Sequence, residues 1–315
     1  MTGSPYISAE IHVEMAPKLN FACHQSAFPL VRELRIANPD SETPLDNLTV
    51  TLSADPPFLK PRSWQIDQIS PESSVDIADR DIALDASMLL NLTDAMRGTA
   101  SIRVETKDGA TLTETTRPVE LLAYNEWGGA GYMPELLAAF ALPNDPAVDG
   151  ILRNAAQVLR RAGKTDTIEG YQSGSRARVW EIAAAIYAAI ANMGITYAVP
   201  PASFERDGQK IRLPGTIRDG LVGTCLDTTM LFAAAFEQAG LNPVVVMPEG
   251  HALVGVWLQP EELSSIVSDD PETLRKRVQL QELLLIETTQ VTSQPAPSFS
   301  RAAAAGERQL DHTHD

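Results

Sequence analysis

The scarce reactive residues of this 315-residue chain are two cysteines and five histidines. The cysteines are Cys23 and Cys225. The histidines are His12, His24, His251, His312 and His314, so His251 stands alone between residues 25 and 311. Cys225 sits in Gly223-Thr224-Cys225-Leu226-Asp227, ahead of an apolar, Ala-rich stretch closed by Gly240. Thr224 has the character of a helix N-cap. Asp227, three residues on, can complete a capping box with Asp in place of Glu. Cys225 then takes the first helical position, where the helix dipole and unsatisfied N–H groups favour a thiolate and can hold an oxyanion. A buried structural cysteine is the competing reading, since free cysteines are among the most buried residues.

His251 follows the turn Pro248-Glu249-Gly250, 251 − 225 = 26 residues after the cysteine, at the start of an expected strand. A helix followed by two antiparallel strands can return such an imidazole over the helix N-terminus, where a thiol needs a base. Glu287 ends an expected third strand, 287 − 251 = 36 residues further on. A carboxylate there would accept from the ring N–H and fix its tautomer. Its rivals are Glu249, Asp269 and Asp270. Glu249 is too near in sequence to face the ring across a strand, and both aspartates fall in an expected loop. For a second oxyanion donor the chain offers only Gln172 and Gln209, each more readily read as a surface residue. Cys23 and His24 are adjacent but have no third partner, and they read as ordinary strand residues. The cysteines lie 225 − 23 = 202 positions apart, which fits no zinc-ligand spacing. G-x-S-x-G, G-x-x-x-x-G-K-[ST], H-E-x-x-H and paired-cysteine motifs are absent. No cofactor and no metal are expected.

The elements that must position these residues fall into two regions, as the length predicts. Residues 1–125 read as strands. Leu48, Val50 and Leu52 alternate with threonines and a serine, and Ala100, Ile102 and Val104 alternate with Ser101 and Arg103 before the hairpin signal Lys107-Asp108-Gly109. Frequent turns between short strands predict an immunoglobulin-like β-sandwich, with one short helix inside Asp85–Met96. Residues 126–133, with Gly128, Gly129 and Gly131, read as a linker. Over 134–290 the period becomes helical. Helices are expected at Pro134–Leu142, Asp145–Arg161, Ser175–Met193, Thr224–Ala239, Pro260–Ile266 and Pro271–Val278. Strands are expected at Val244–Met247, His251–Leu258 and Leu283–Ile286. Residues 291–315, rich in Ser, Pro and Ala, read as a flexible tail or linker.

The net charge is −16. It is shared evenly: residues 1–125 carry 10 − 18 = −8 and the remainder 15 − 23 = −8. Neither part offers the clustered Lys and Arg that phosphate backbones require, so no direct nucleic-acid binding is expected. No apolar run approaches the ~20 residues of a membrane span. Met1–Glu14 lacks the basic-then-apolar order of a secretory signal. A cytoplasmic location with no membrane partner is expected.

The run Gly223-Thr224-Cys225-Leu226-Asp227, the Ala-rich helix, Gly240-Leu241, the Val strand and Gly250-His251-Ala252 resemble the core of the transglutaminase-like, papain-like superfamily. Leu284-Leu285-Ile286-Glu287-Thr288-Thr289 looks like that superfamily's third-residue strand, with Glu for the usual Asp and Thr for the usual Pro. The usual His-x-Trp is replaced by His251-Ala252-Leu253. Pro200-Pro201-Ala202-Ser203-Phe204, Gly208-Gln209-Lys210-Ile211-Arg212 and Gly250–Leu258 resemble a bacterial group of helicase-associated proteins of the DUF4011 type. In that group such a core follows an immunoglobulin-like domain. The resemblance implies an α+β transglutaminase-like domain over 134–290, a Cys225-His251-Glu287 triad supported by Thr224 and Asp227, and a protein or peptide substrate. It further implies a helicase or nuclease partner in genome or phage defence. A cysteine peptidase or amidase is the expected activity, ahead of cross-linking. A catalytically silent module that docks a protein partner, and a purely structural fragment of a larger assembly, remain the alternatives.

Overall fold

The computed structural model describes residues 8–310. The chain divides into two compact units, Met1–Glu126 and Trp127–Asp315.

The first unit runs β1 (Glu10–Met15), β2 (Lys18–Leu19), α1 (Phe21–Gln25), β3 (Val31–Asn38), β4 (Leu45–Asp55), β5 (Arg62–Ile69), β6 (Ser73–Asp76), α2 (Ala86–Leu90), β7 (Met96–Glu105) and β8 (Thr111–Leu121). The strands form two sheets, ordered β1-β3-β6 and β2-β8-β7-β4-β5. All pairs are antiparallel except β2 with β8. Alternation sets the register: Val50 lies opposite Val104 and Leu52 opposite Ile102, and all four are buried. A slip of one residue would turn these side chains to the other face. The strand expected through Cys23 is instead the short helix α1. Asn20 caps it by accepting from the Cys23 N–H at 3.0 Å, which overrides the local strand pattern.

The second unit begins at Trp127 of β9 (Glu126–Trp127). It continues with a 3-10 turn (Pro134–Phe140), α3 (Pro146–Arg161), α4 (Arg176–Ala191), β10 (Thr196–Tyr197), α5 (Phe204–Asp207), β11 (Gln209–Lys210), α6 (Pro214–Gly220), β12 (Val222–Gly223) and α7 (Cys225–Gln238). It ends with β13 (Pro243–Val246), β14 (Leu253–Trp257), α8 (Pro271–Gln279), β15 (Leu283–Ile286), a 3-10 turn (Thr288–Thr292) and α9 (Phe299–Gln309). Every residue of α7 from Cys225 to Phe236 is buried, so this helix is the axis of the unit. It lies against β13 and β14 of the antiparallel sheet β13-β14-β15 and against α3 and α4.

Three expectations are corrected here. Residues 127–133 are not a free linker. Trp127 is buried and donates its Nε1–H to the Met133 carbonyl at 2.8 Å, and the Ala130 and Gly131 N–H groups donate to Glu205 and Arg206. The backbones approach so closely that a Cβ on Gly208 would sit 2.0 Å from the Trp127 carbonyl oxygen, so only glycine fits. Residues 260–266 form no helix, because Glu261, Glu262, Ser264 and Ser265 leave no apolar face to bury and Ile266 is exposed. Residues 291–310 are not a flexible tail. Val291 is in the core, and α9 lays Phe299, Ala302 and Ala303 into it, with the Phe299 ring edge-on to Trp180 at 4.9 Å. Its Gly306 passes directly over the strand backbone, where a Cβ would lie 2.9 Å from the Ile286 nitrogen.

Candidate active site

The helix start is built as its sequence dictates. The Thr224 side chain accepts from the Asp227 N–H at 3.2 Å, and Asp227 Oδ2 accepts from the Thr224 N–H at 2.8 Å. Asp227 is fully buried and also takes the Arg212 N–H at 2.7 Å and guanidinium at 2.8 Å. The loop ahead of the helix is thereby tied to its first turn. Cys225 is the first helical residue, and its backbone N–H has no acceptor within the helix.

Strand pairing delivers the other two residues. Val246 pairs with Leu253 and Val254 with Ile286, so the beginning of β14 and the end of β15 lie side by side. His251 precedes β14 by two residues, not at its first position, and Glu287 follows β15 by one. They therefore emerge at one end of the sheet. Thr288 fastens that end to α7: its hydroxyl is 3.0 Å from the Thr228 hydroxyl and 3.1 Å from that of Thr229. His251 Nε2 is 2.7 Å from Glu287 Oε2, which leaves Nδ1 for the thiol. The other oxygen, Oε1, accepts from the Thr289 N–H at 3.0 Å and hydroxyl at 2.6 Å, so the carboxylate is held from both sides.

The electrostatics follow from these contacts. His251 is pushed up to about 9, first by its hydrogen-bonding contact with the Cys225 side chain and then by Glu287, against the opposing effect of burial. Burial is the largest influence on Glu287 and raises it, but the His251 and Thr289 hydrogen bonds together outweigh it and leave the carboxyl below its ordinary range. The imidazole thus carries a proton at neutral pH, and a protonated imidazole beside a thiol favours the thiolate. Cys225 is fully enclosed.

The structure gathers Cys225, His251 and Glu287, and Thr224 and Asp227 shape the helix end. Glu249, Asp269 and Asp270 are exposed, and Asp270 caps α8. Gln172 is exposed in a turn. Gln209 is buried, but its amide donates to the Thr224 hydroxyl at 3.0 Å and so serves the cap. Two contributors escape sequence reasoning. Tyr197 lies on β10, which pairs in parallel with β12 so that Tyr197 is opposite Gly223, two residues before the cysteine. Its phenol is raised by burial and then by the nearby Cys225 side chain. Gln309 of α9 reaches Glu287 Oε2 at 3.5 Å. No local signal marks either one, because each arrives through a contact made far along the chain.

No protein-family model matches the chain, and comparison with curated proteins finds no match. Among the described residues no cluster of His, Cys, Asp or Glu could hold a metal ion, and no helix is long and apolar enough to cross a membrane.

Proposed function

We propose that this protein is a thiol-dependent acyl-transfer enzyme, a cysteine peptidase or amidase using Cys225, His251 and Glu287. The observation that carries this reading is the 2.7 Å imidazole–carboxylate pair presented to a cysteine at the first position of a buried helix. The proton the thiol would otherwise carry rests on His251 Nδ1, and the sulfur attacks an amide or ester carbonyl. The Cys225 N–H and the Tyr197 hydroxyl hold the resulting oxyanion. The imidazolium hands its proton to the leaving amine, and the C–N bond breaks to leave an acyl-thioester. Water, deprotonated by the imidazole, then releases the acid and restores the thiolate. An amine in place of water would give a cross-link. Glu287 holds the ring in orientation and stabilises its charge throughout.

The full enclosure of Cys225 favours a second reading, a silent module that docks a protein partner. One experiment separates the two. The rate of iodoacetamide alkylation at Cys225 is followed against pH by peptide mass mapping, in the wild type and in His251→Ala. Fast reaction at about pH 6 that disappears in the variant is the expected result. Slow reaction that rises only near the free-thiol value of ~8.5, whatever residue 251 is, would refute the enzyme reading.

A further inference from the structure

Three threonine hydroxyls meet where the turn after Glu287 touches α7, and Thr228, Thr229 and Thr288 are all fully buried. Counting their protons fixes the direction of each bond. The Thr228 hydroxyl lies 3.1 Å from the Thr224 carbonyl oxygen and 3.0 Å from that of Cys225. Carbonyl oxygens only accept, so the single Thr228 proton is committed there. Thr228 can then only accept from Thr288, at 3.0 Å. That commits the Thr288 proton, so Thr229 is the donor across the 3.1 Å contact. The link runs one way, from Thr229 through Thr288 and Thr228 to the start of α7.

Its two ends are chemically distinct. The Thr224 carbonyl belongs to the same peptide group as the Cys225 N–H, the donor left without a helical acceptor. That carbonyl accepts from the Thr228 N–H at 3.0 Å as well as from the hydroxyl. Two donors on its oxygen hold the plane of this peptide and polarise its N–H. At the other end, Thr288 lies between Glu287 and Thr289, whose N–H and hydroxyl hold the carboxylate.

We propose that Thr228 and Thr288 are positioning residues, whose hydroxyl link sets the Cys225 thiol and N–H against the His251–Glu287 pair. Neither side chain touches the reacting atoms. Thr288 carries the turn that holds the acid, Thr228 carries the peptide that holds the nucleophile, and one hydrogen bond joins them. This assignment rests on the thiol-enzyme reading of Cys225 and His251. It goes beyond that reading by naming what holds the two halves of the site in register.

The test is the pH profile of iodoacetamide alkylation at Cys225 in the full chain, for the wild type, Thr288→Val, Thr228→Val and Thr288→Ser. Valine keeps the branched shape and removes the hydroxyl. Loss of the link should move the alkylation midpoint upward by about half a unit to one unit, toward that of a free thiol. Thr228→Val breaks the same link from the other side, and it carries the test if Thr288→Val does not fold. Thr288→Ser keeps the hydroxyl and loses a buried methyl. Its alkylation midpoint should return to the wild-type value even though urea unfolds it earlier, a separation that a merely structural role would not give. Valine profiles that match the wild type, or a shift in Thr288→Ser as large as in Thr288→Val, overturn the positioning role. With His251 dependence kept, either result leaves the thiol site standing. Slow alkylation of the wild type, independent of His251, overturns both.

Discussion

Glu287→Gln isolates the part of the site that the structure defines most tightly. Oε1 of Glu287 accepts twice from Thr289 while Oε2 faces His251 Nε2. A glutamine keeping the Thr289 contacts with its carbonyl would turn its NH₂ toward the ring. The imidazolium would lose a charged acceptor and meet a donor. A hydrogen bond to a charged group contributes about 1.5–3 kcal/mol, which at 1.36 kcal/mol per unit corresponds to about one to two pKa units. His251 should therefore titrate near the value of about 9 in the wild type and one to two units lower in the variant. Histidine-selective NMR reads this directly, with the signal assigned by its absence in His251→Ala. Stability follows by linkage. His251 is raised from its ordinary 6.5, so its contribution is fully present below pH 6.5 and is lost as pH rises through about 9. The shift of 9 − 6.5 = 2.5 units, discounted for the partial exposure of the ring, leaves about 1–2 kcal/mol. Glu287 is lowered, so its contribution is present above the ordinary carboxylate range and is lost in acid. Urea midpoints should thus fall between pH 6.5 and 9 in the wild type but not in His251→Ala. A His251 midpoint near 6.5, or one that Glu287→Gln does not move, would refute the coupling.

Three further perturbations test the supports of the site. Tyr197→Ala removes the phenol from the thiol and should speed iodoacetamide alkylation of Cys225 several-fold at neutral pH; an unchanged rate would show that Tyr197 does not cover the nucleophile. Gly306→Ala drives a methyl against the Ile286 backbone, where a Cβ has only 2.9 Å, and should cost about 1–3 kcal/mol in urea unfolding. An unaltered midpoint would mean that α9 is not seated on β15. Asp227→Asn takes a charged acceptor from the Thr224 and Arg212 donors and should lower stability by about 1–3 kcal/mol by the same assay. Equal stability would show that the buried carboxylate does not hold the helix start.

What the sequence could determine alone was local. Thr224 and Asp227 sit at the spacing of a capping box, and that spacing fixes the position of Cys225 on its helix whatever surrounds it. Strand alternation and turn residues likewise marked β4, β7 and β15, because a half-buried strand must repeat every two residues and a buried one must be apolar. The position of His251 and Glu287 on adjacent strand ends was readable as a possibility, and antiparallel register made it geometry. Where local signals conflicted with distant contacts, tertiary structure decided. The alanines of residues 302–305 and the prolines before them read as low complexity, yet an alanine face is what lets a helix lie flush on β15. Tyr197 lies in a short piece readable as extended, but only its parallel pairing with Val222–Gly223 brings it beside the thiol. Gln209 could be read as a surface residue until the loop carrying it folded onto the Thr224 cap. Short-range hydrogen bonding is written into residue spacing, whereas the cover over the thiol and the helix behind the carboxylate exist only once the core has closed.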